Sequence, residues 1–171
     1  MLPIIERILN EFGIDPHKEE INYHGVLIEA PAGMIAEQAF LWGEASWWPA
    51  LCKMQFRRMT SGGVKLDAEY EMRLRYPLLQ PWQARVTKLI PGQEIERTFF
   101  SGIFKGRETV AVEERYNATK VSYTMSFRVK GILPQILWKL HFRRVHDANL
   151  RMILDALKEY CLKQLEEKRA Q

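Results

Sequence analysis

The sequence is poor in cysteine and has no long uncharged apolar run. Its 171 residues include two cysteines, Cys52 and Cys161, which are too few for a disulfide framework and are not at the spacing of metal ligands. No stretch reaches the roughly 18 uncharged apolar residues that a membrane-spanning helix requires. Glu6 and Arg7 interrupt the apolar N-terminus, and no small-residue cleavage site follows, which argues against a secretory signal. We therefore expect a soluble, cytoplasmic protein with both thiols reduced.

The sequence also lacks the common catalytic and nucleic-acid-binding motifs. It has no nucleophile elbow of the Ser/His/Asp hydrolases, no glycine-rich phosphate loop and no pair of histidines spaced to bind zinc. It has neither zinc-finger spacing nor an aromatic RNA-recognition motif. We therefore expect no metal, no cofactor and no nucleic-acid partner, and no catalytic residue can be named from the sequence.

The charge is mildly positive. The formal net charge of +4 could favour an anionic ligand or a membrane surface without requiring either. Most of the local excess lies in residues 139 to 146, which read Lys-Leu-His-Phe-Arg-Arg-Val-His. A basic run of this kind is usually a solvated helix face, and the alternative is contact with nucleic acid or peripheral contact with phospholipid.

The length fits a single domain that follows a short extension. Residues 2 to 12 carry apolar side chains at helical spacing, which predicts a short amphipathic helix within an N-terminal extension over residues 1 to 20. Residues 21 to 171 form the main domain. It begins with a strand over residues 21 to 30, a helix from Pro31 to Leu41, and a second short helix over residues 45 to 51.

Six further strands are expected, and two of them alternate clearly. They cover residues 52–60, 65–76, 82–90, 94–104, 107–115 and 120–129. The second of these places one apolar set on one face: Leu66, Ala68, Tyr70, Met72, Leu74 and Tyr76. The last places another set on one face: Val121, Tyr123, Met125, Phe127 and Val129. Period two predicts strands with one wet face and one buried face.

The residues after Gly131 predict one long helix, because they lack glycine and, apart from Pro134, lack proline. At about 100° per residue, its apolar stripe holds Trp138, Phe142, Val145, Met152, Ile153, Ala156 and Tyr160. A helix of this length can bury that stripe only against the sheet. The pattern predicts an α+β fold in which a curved antiparallel sheet of about six to seven strands wraps around a long C-terminal helix, with two short helices after the first strand.

This order of elements is that of a helix-grip fold, and it resembles the START-like, or SRPBCC, superfamily. Three stretches carry the likeness: residues 28–31 (Ile-Glu-Ala-Pro), residues 47–49 (Trp-Trp-Pro), and residues 82–87 (Trp-Gln-Ala-Arg-Val-Thr), which lead through Pro91-Gly92. Residues 21 to 165 are similar in particular to the polyketide cyclase/dehydrase and lipid-transport group, whose fold is shared with the major birch pollen allergen. The resemblance implies an internal cavity between sheet and helix, used by different members for lipids, hormones, quinones or polyketides. It predicts a pocket and not a substrate.

If the sheet curves around the helix, its apolar face lines both the core and the cavity. The candidate ligand-binding residues on that surface are Tyr70, Met72, Trp82, Tyr123, Met125, Phe127 and Trp138. Each of them could instead simply pack the core. Aromatic and methionine side chains favour the pocket, since they offer large, adaptable apolar surface to a ligand.

Three polar residues of the predicted helix are further candidates. Asn149 sits at the centre of the apolar stripe, so its amide must bond a backbone group, water or a ligand atom. His141 and His146 flank the stripe on opposite sides. Either could titrate beside a ligand, and the alternative is that they only complete an amphipathic surface.

Arg97 is the last candidate, although the alternation of its strand does not settle which face is buried. If it points inward it needs a carboxylate partner, and Glu108 or Glu113 on the following strand could supply one. An inward arginine would also suit an anionic ligand head.

Three functions are compatible with these features. A non-catalytic carrier would bind an apolar or amphipathic molecule such as a lipid, a quinone or a polyketide. A cyclase or dehydratase would need a titratable group beside the reacting carbon. An interaction module would instead use an outer face. The inward residues are mostly aromatic, aliphatic and methionine, so the sequence favours a binding protein over an enzyme.

Overall fold

The computed structural model describes residues 7, 11–15, 17–76 and 79–171. These residues form seven β-strands, one helix after the first strand, and a long C-terminal helix. The predicted helix-grip α+β fold is confirmed. The helix that we predicted over residues 2 to 12 falls largely on residues outside the described ranges.

All seven strands belong to one antiparallel sheet. They are β1 (Glu20–Ile28), β2 (Met54–Arg58), β3 (Glu69–Leu74), β4 (Trp82–Ile90), β5 (Glu94–Ser101), β6 (Phe104–Arg115) and β7 (Ala118–Val129). The spatial order is β1-β7-β6-β5-β4-β3-β2. Every strand from β2 to β7 therefore pairs with its neighbour in sequence, and β1 crosses over to pair with β7.

The inner face of the sheet follows the period of two that the sequence shows. In β7 the side chains of Val121, Tyr123, Met125, Phe127 and Val129 are all buried, as predicted. In β5 the buried set is Ile95, Arg97 and Phe99, so the inward face of that strand carries a charge. The sheet curls around the C-terminal helix, and its inner face and the helix enclose the interior of the domain.

The C-terminal helix contains a wider turn that shifts its buried face by one residue. It runs as α2 (Ile132–Leu137), a π-helical segment (Trp138–Phe142) and α3 (Arg143–Arg169). A π-helical turn holds one residue more than an α-helical turn, so everything after it is rotated by about 100°. Beyond Phe142 the buried residues are His146, Asn149, Leu150, Ile153, Leu154, Leu157 and Cys161.

The predicted stripe was therefore wrong for four residues. Val145, Ala156 and Tyr160 are only partly buried, and Met152 is 37% exposed. In each case the next residue along the chain is buried instead. A projection with a constant 100° per residue cannot include a π-helical turn.

Two shorter elements also differ from the prediction. Leu66, expected on the buried face, is 56% exposed. The backbone of Asp67 adopts a positive φ of 63°, which turns the chain so that β3 begins only at Glu69.

After β1 the structure has one short helix, α1 (Ala32–Ala39). The segment over residues 45 to 51, expected to form a second helix, is a series of turns. Gly43 has a positive φ of 86°, and a Cβ there would lie 2.2 Å from Cβ of Phe56. Only glycine fits at this position.

Candidate ligand-binding site between the sheet and the C-terminal helix

A buried ion pair lies on the inner face of the sheet. Arg97 of β5 and Glu108 of β6 are paired in register, and each is 1% exposed. Nε of Arg97 donates to Oε1 of Glu108 at 2.6 Å. Of the two carboxylates that the sequence allowed as partners, the structure selects Glu108. An unpaired charge at this depth would be strongly destabilising, so the pair accounts for how an arginine is accommodated here.

The second oxygen of Glu108 is also occupied. The hydroxyl of Tyr123 donates to Oε2 of Glu108 at 2.7 Å. Burial, together with the negative charge of Glu108, raises the pKa of Tyr123 well above its ordinary value. Tyr123 therefore stays protonated and remains a donor. Between them, Arg97 and Tyr123 engage both carboxylate oxygens.

Two nitrogen atoms of the Arg97 guanidinium have no partner in the part of the chain that the structure describes. Its Cζ lies 5.1 Å from the ring centroid of Tyr70 and 5.8 Å from that of Phe56, so aromatic rings flank the cation. Nη1 and Nη2 are buried and have no hydrogen-bond partner among the described residues. The hydroxyl of Tyr70 is likewise buried and, within the same part of the chain, unpaired.

Aromatic contacts connect this pair to the C-terminal helix. Trp42 stacks on Tyr123 with ring centroids 5.7 Å apart and an angle of 11° between the planes. The ring of His146 lies 6.0 Å from Tyr123 and 5.5 Å from Trp138. We refer to the connected set as the interior cluster; it consists of Trp42, Tyr70, Arg97, Glu108, Tyr123, Trp138 and His146.

His146 is the titratable member that the helix contributes. Burial lowers its pKa from 6.5 to about 4, and the opposing effect of the neighbouring Asp147 is smaller. The imidazole is therefore neutral near pH 7. Neither ring nitrogen has a partner within the described ranges. A neutral imidazole offers one donor and one acceptor.

The far end of the interior is aromatic and apolar. Phe104 contacts Trp82, Phe127 and Trp138 edge to face, with centroids 5.1 to 5.4 Å apart. All four rings are buried. The interior thus has a polar end at Arg97 and an apolar end at Phe104, joined at Trp138.

The structure brings most of the predicted site residues to this surface. Eight of them are buried on the sheet or the helix: Tyr70, Met72, Trp82, Arg97, Tyr123, Met125, Phe127 and Trp138. His141 is not among them. Its side chain is exposed, and its ring packs against Tyr76 and Phe142 at the end of the π-helical segment.

Asn149 is buried but engaged entirely within the chain. Its Oδ1 accepts the backbone N–H of Lys53 at 2.6 Å, and its Nδ2 donates to the carbonyl of Val145 at 2.6 Å. The amide fastens the C-terminal helix to the segment that leads into β2. The sequence allowed two interpretations of Asn149, a structural hydrogen bond or contact with a ligand, and the structure shows the structural hydrogen bond.

Sequence reasoning missed one member of the interior cluster, Trp42, and underrated two others, Glu108 and His146. Trp42 precedes a glycine in a turn, where no periodicity indicates which way a side chain points. Glu108 was considered only as a partner for Arg97. His146 was placed at the edge of the apolar stripe, and the π-helical turn moves it to the centre.

Other features of the described residues do not add a second site. No group of three or more His, Cys, Asp or Glu side chains in the described part could hold a metal ion, and none of its helices is long and apolar enough to span a membrane. A charged cleft of about 310 Å³ lies on the outside, between residues 13–21 and the start of the C-terminal helix. Lys139 and Arg143, which line it, already bond Gly13 and Glu20.

The comparisons with known proteins rest on the fold. No protein-family model matches the sequence, and no curated protein matches it significantly. Solved structures do match. The Zhui aromatase/cyclase from a Streptomyces species superposes with a TM-score of 0.66 at 15% identity, over 86% of this chain and 96% of the other. This chain has the START-like fold.

Two more START-like structures show the same likeness. Norcoclaurine synthase from Thalictrum flavum, in complex with dopamine and hydroxybenzaldehyde, gives a TM-score of 0.62 at 13% identity, over 85% of this chain and 88% of the other. Ara h 8.0201 gives 0.59 at 12% identity, over 85% and 99%. At these identities the likeness concerns the fold alone. It confirms the helix-grip fold expected from the order of elements.

Proposed function

We propose that this protein binds and carries an apolar or amphipathic small molecule, such as a lipid, a quinone or a polyketide-like compound, between the sheet and the C-terminal helix. The binding domain spans residues 21 to 171, with residues 1 to 20 as an extension. The observation that supports the proposal is the set of unpaired polar atoms in the interior cluster. Nη1 and Nη2 of Arg97, the hydroxyl of Tyr70 and both ring nitrogens of His146 are buried without partners in the described part of the chain.

These atoms are costly for a purely structural core. Proteins pair the large majority of their buried polar groups, and each unpaired group costs about 1–3 kcal/mol. A core built only for stability would carry apolar side chains of similar volume at these positions. Retaining several such groups in one connected set is understandable if a ligand satisfies them.

The rest of the interior suits the apolar part of such a ligand. The rings of Trp82, Phe104, Phe127 and Trp138 form a continuous apolar surface beside the polar end. Small-molecule sites typically combine an apolar lining with a few polar groups that orient the ligand. The same fold in norcoclaurine synthase accommodates dopamine and hydroxybenzaldehyde, which are small aromatic compounds.

A second candidate function is a cyclase or dehydratase, and His146 is the observation that favours it. A neutral imidazole with a free ring nitrogen could take a proton from a bound ligand. Because burial holds the pKa of His146 at about 4, however, the imidazole is a weak base near pH 7. Chemistry at this residue would require the ligand itself to raise that pKa, so a carrier is favoured.

Native mass spectrometry of the purified protein, followed by organic extraction, tests the proposal. We expect a co-purifying apolar compound that is lost in variants of the interior. Tyr70→Ala and Tyr123→Ala should weaken binding of an environment-sensitive apolar dye, whereas Glu69→Ala and Lys120→Ala, on the other face of the same strands, should not. Equal effects from both pairs, with no co-purifying compound, would contradict an interior site.

A further inference from the structure

The acidic residues are unevenly distributed along the sequence. Three long segments contain no Asp or Glu: residues 45–66, 72–93 and 115–146. Together they hold 15 of the 25 lysines and arginines, so each segment is strongly basic although the net charge of the whole chain is only +4. A surface at which such segments meet has a positive potential and attracts anionic partners.

The three segments meet at Tyr76. The backbone N–H of Arg75 donates to the carbonyl of Lys53 at 2.8 Å, which joins the second segment to the first. Nζ of Lys53 donates to the hydroxyl of Tyr76 at 3.2 Å and lies 4.9 Å from the centre of its ring. The same ring packs edge to face against His141 of the third segment, with centroids 5.4 Å apart. We refer to the surface around these contacts as the basic junction; it consists of Leu51, Lys53, Arg75, Tyr76, Leu140, His141 and Arg144.

The cations of the basic junction are not compensated by carboxylates. Lys53, Arg75 and Arg144 are exposed, and none of them forms an ion pair with another described residue. The guanidinium of Arg75 lies against the side-chain amide of Gln55, which carries no charge. These three positive charges are therefore available to an anionic partner.

Two exposed leucines accompany the cations. Leu51 is 83% exposed and lies two residues before Lys53, and Leu140 is 54% exposed and directly precedes His141. Exposed apolar side chains beside basic ones are typical of surfaces that bind a membrane. Nucleic acid would not explain the leucines, because its bases stack on aromatic side chains. The combination therefore favours a lipid bilayer as the partner.

The structure also shows which part of the basic run over residues 139 to 146 can take part. Lys139 and Arg143 are bonded to the chain just before β1 and at its start. Leu140 and Arg144 are exposed and lie about one turn apart on the helix. The run alone is thus a weak candidate, and Lys53 and Arg75 from the sheet complete the surface.

We propose that the basic junction docks this protein on the surface of an anionic phospholipid bilayer. Lys53, Arg75 and Arg144 contact the anionic groups of the lipids, and Leu51 and Leu140 insert at the boundary between headgroups and acyl chains. Basic side chains are attracted to such a surface over about one Debye length, so salt weakens the contact. The inference concerns an outer surface and does not depend on the ligand of the interior.

Vesicle flotation with the full chain tests the docking. Vesicles of phosphatidylcholine alone are compared with vesicles in which about one third of the lipid is phosphatidylserine. We expect the protein to bind the anionic vesicles at least about tenfold more strongly, since three cations face the lipids. Raising the NaCl concentration from about 0.1 M to about 0.5 M should remove most of this preference.

Point variants assign the contact to the basic junction. Lys53→Gln and Arg144→Gln should each weaken binding to anionic vesicles about fivefold. Leu140→Ser should weaken it also at high salt, because insertion of an apolar side chain is not screened. The matched controls are Lys65→Gln and Leu66→Ser, at exposed positions between β2 and β3, which should bind like the unmodified protein. A cooperative thermal melt verifies that each variant is folded.

The outcomes separate this inference from the proposed function. Absence of binding to anionic vesicles overturns the docking, and so do controls that weaken binding as much as the junction variants. Binding to polyuridylate or polyglutamate without binding to vesicles would assign the surface to nucleic acid or to an acidic protein instead. The compound expected to co-purify with the interior should persist in Lys53→Gln and Arg144→Gln. If no compound co-purifies while vesicles bind, the proposed function fails and the docking stands.

Discussion

Arg97 and Asn149 are both polar side chains buried in the interior, at 1% and 5% exposure. They differ in how far their hydrogen-bonding atoms are paired within the protein. Asn149 places its oxygen on the backbone of Lys53 and its nitrogen on that of Val145. Arg97 bonds Glu108 through Nε alone, and its other two nitrogen atoms have no partner among the described residues. One side chain completes its bonds within the chain, and the other does not.

The difference separates a structural role from a binding role. A buried amide whose bonds run to backbone groups stabilises the packing of two segments and offers nothing to a ligand. A buried cation whose charge is neutralised but whose hydrogen-bond donors are not all paired can still bind an acceptor. We therefore assign Asn149 to the architecture, and we place Arg97 and its neighbours at the proposed site.

Removing only the carboxylate of the Arg97–Glu108 ion pair should give the largest loss of stability. Glu108→Leu leaves the charge of Arg97 buried without a carboxylate, and we expect it to lower the free energy of unfolding by about 3–5 kcal/mol. Urea denaturation measures this change. The exposed pair of Arg85 and Glu69, at 2.7 Å, is the matched control, and Glu69→Leu should cost less than about 1 kcal/mol.

The double variant Arg97→Met/Glu108→Gln sharpens this first test. Because it removes both charges together, it should recover most of the stability that Glu108→Leu loses. A double variant as unstable as Glu108→Leu would mean that packing around the pair, rather than its charge balance, holds this region together.

A pH titration should show that His146 also lacks an internal partner. The unfolded chain binds the imidazole proton near 6.5 and the folded chain only near 4, so the unfolded state holds more protons between these values. The free energy of unfolding should fall by up to about 3 kcal/mol as the pH drops from 6.5 to 4. Above pH 6.5 this contribution is constant.

The titration has an internal control. His146→Phe should flatten the profile between pH 4 and 6.5, whereas His17→Gln, at an exposed position, should leave it unchanged. Asp147 acts in a lower window: burial raises its pKa, but hydrogen bonds from Asn22 and His24 outweigh burial, and the pKa is lowered from 3.8. Its contribution is lost only as the pH falls below that value. A slope unaffected by His146→Phe would assign the acid sensitivity to other groups.

The sequence correctly predicts which face of an element is buried where the periodicity is uninterrupted. The alternation in β7 correctly placed Tyr123, Met125 and Phe127 inside, because a strand has a fixed period. The C-terminal helix was placed correctly as an element, yet its buried face was displaced by one residue after Phe142. No local sequence pattern predicts a π-helical turn, because the position of such a turn depends on how the helix packs against the sheet.

The candidate site was harder to predict than the fold. Arg97 was ambiguous since both faces of β5 carry apolar and polar residues, and only pairing with Glu108 across the sheet decides which face is buried. Trp42 lies in a turn, and its stacking on Tyr123 joins residues 81 positions apart. Contacts of this range follow from the curvature of the sheet, which local patterns do not encode.

Replacing Asn149 tests the structural half of the comparison. Asn149→Leu leaves the backbone N–H of Lys53 without its acceptor, and we expect the free energy of unfolding to fall by about 1–3 kcal/mol. Binding of an environment-sensitive apolar dye should be unchanged, since both polar atoms of the amide are bonded within the chain. Glu159→Leu, at an exposed position of the same helix, should have little effect. Unchanged stability with weakened binding would instead return Asn149 to the site.

The smallest effect, and the most direct comparison, comes from removing one oxygen atom at each of two tyrosines. The hydroxyl of Tyr123 donates to Glu108, and that of Tyr70 has no partner in the described part of the chain. Tyr123→Phe leaves one carboxylate oxygen without its donor and should cost about 1–3 kcal/mol. Tyr70→Phe breaks no bond seen among the described residues and should change the free energy of unfolding by less than about 0.5 kcal/mol, while weakening binding of the co-purifying compound. Both substitutions keep the ring, so packing is matched. Equal losses of stability would show that the hydroxyl of Tyr70 is satisfied within the folded protein, and it would then not be free to bind a ligand.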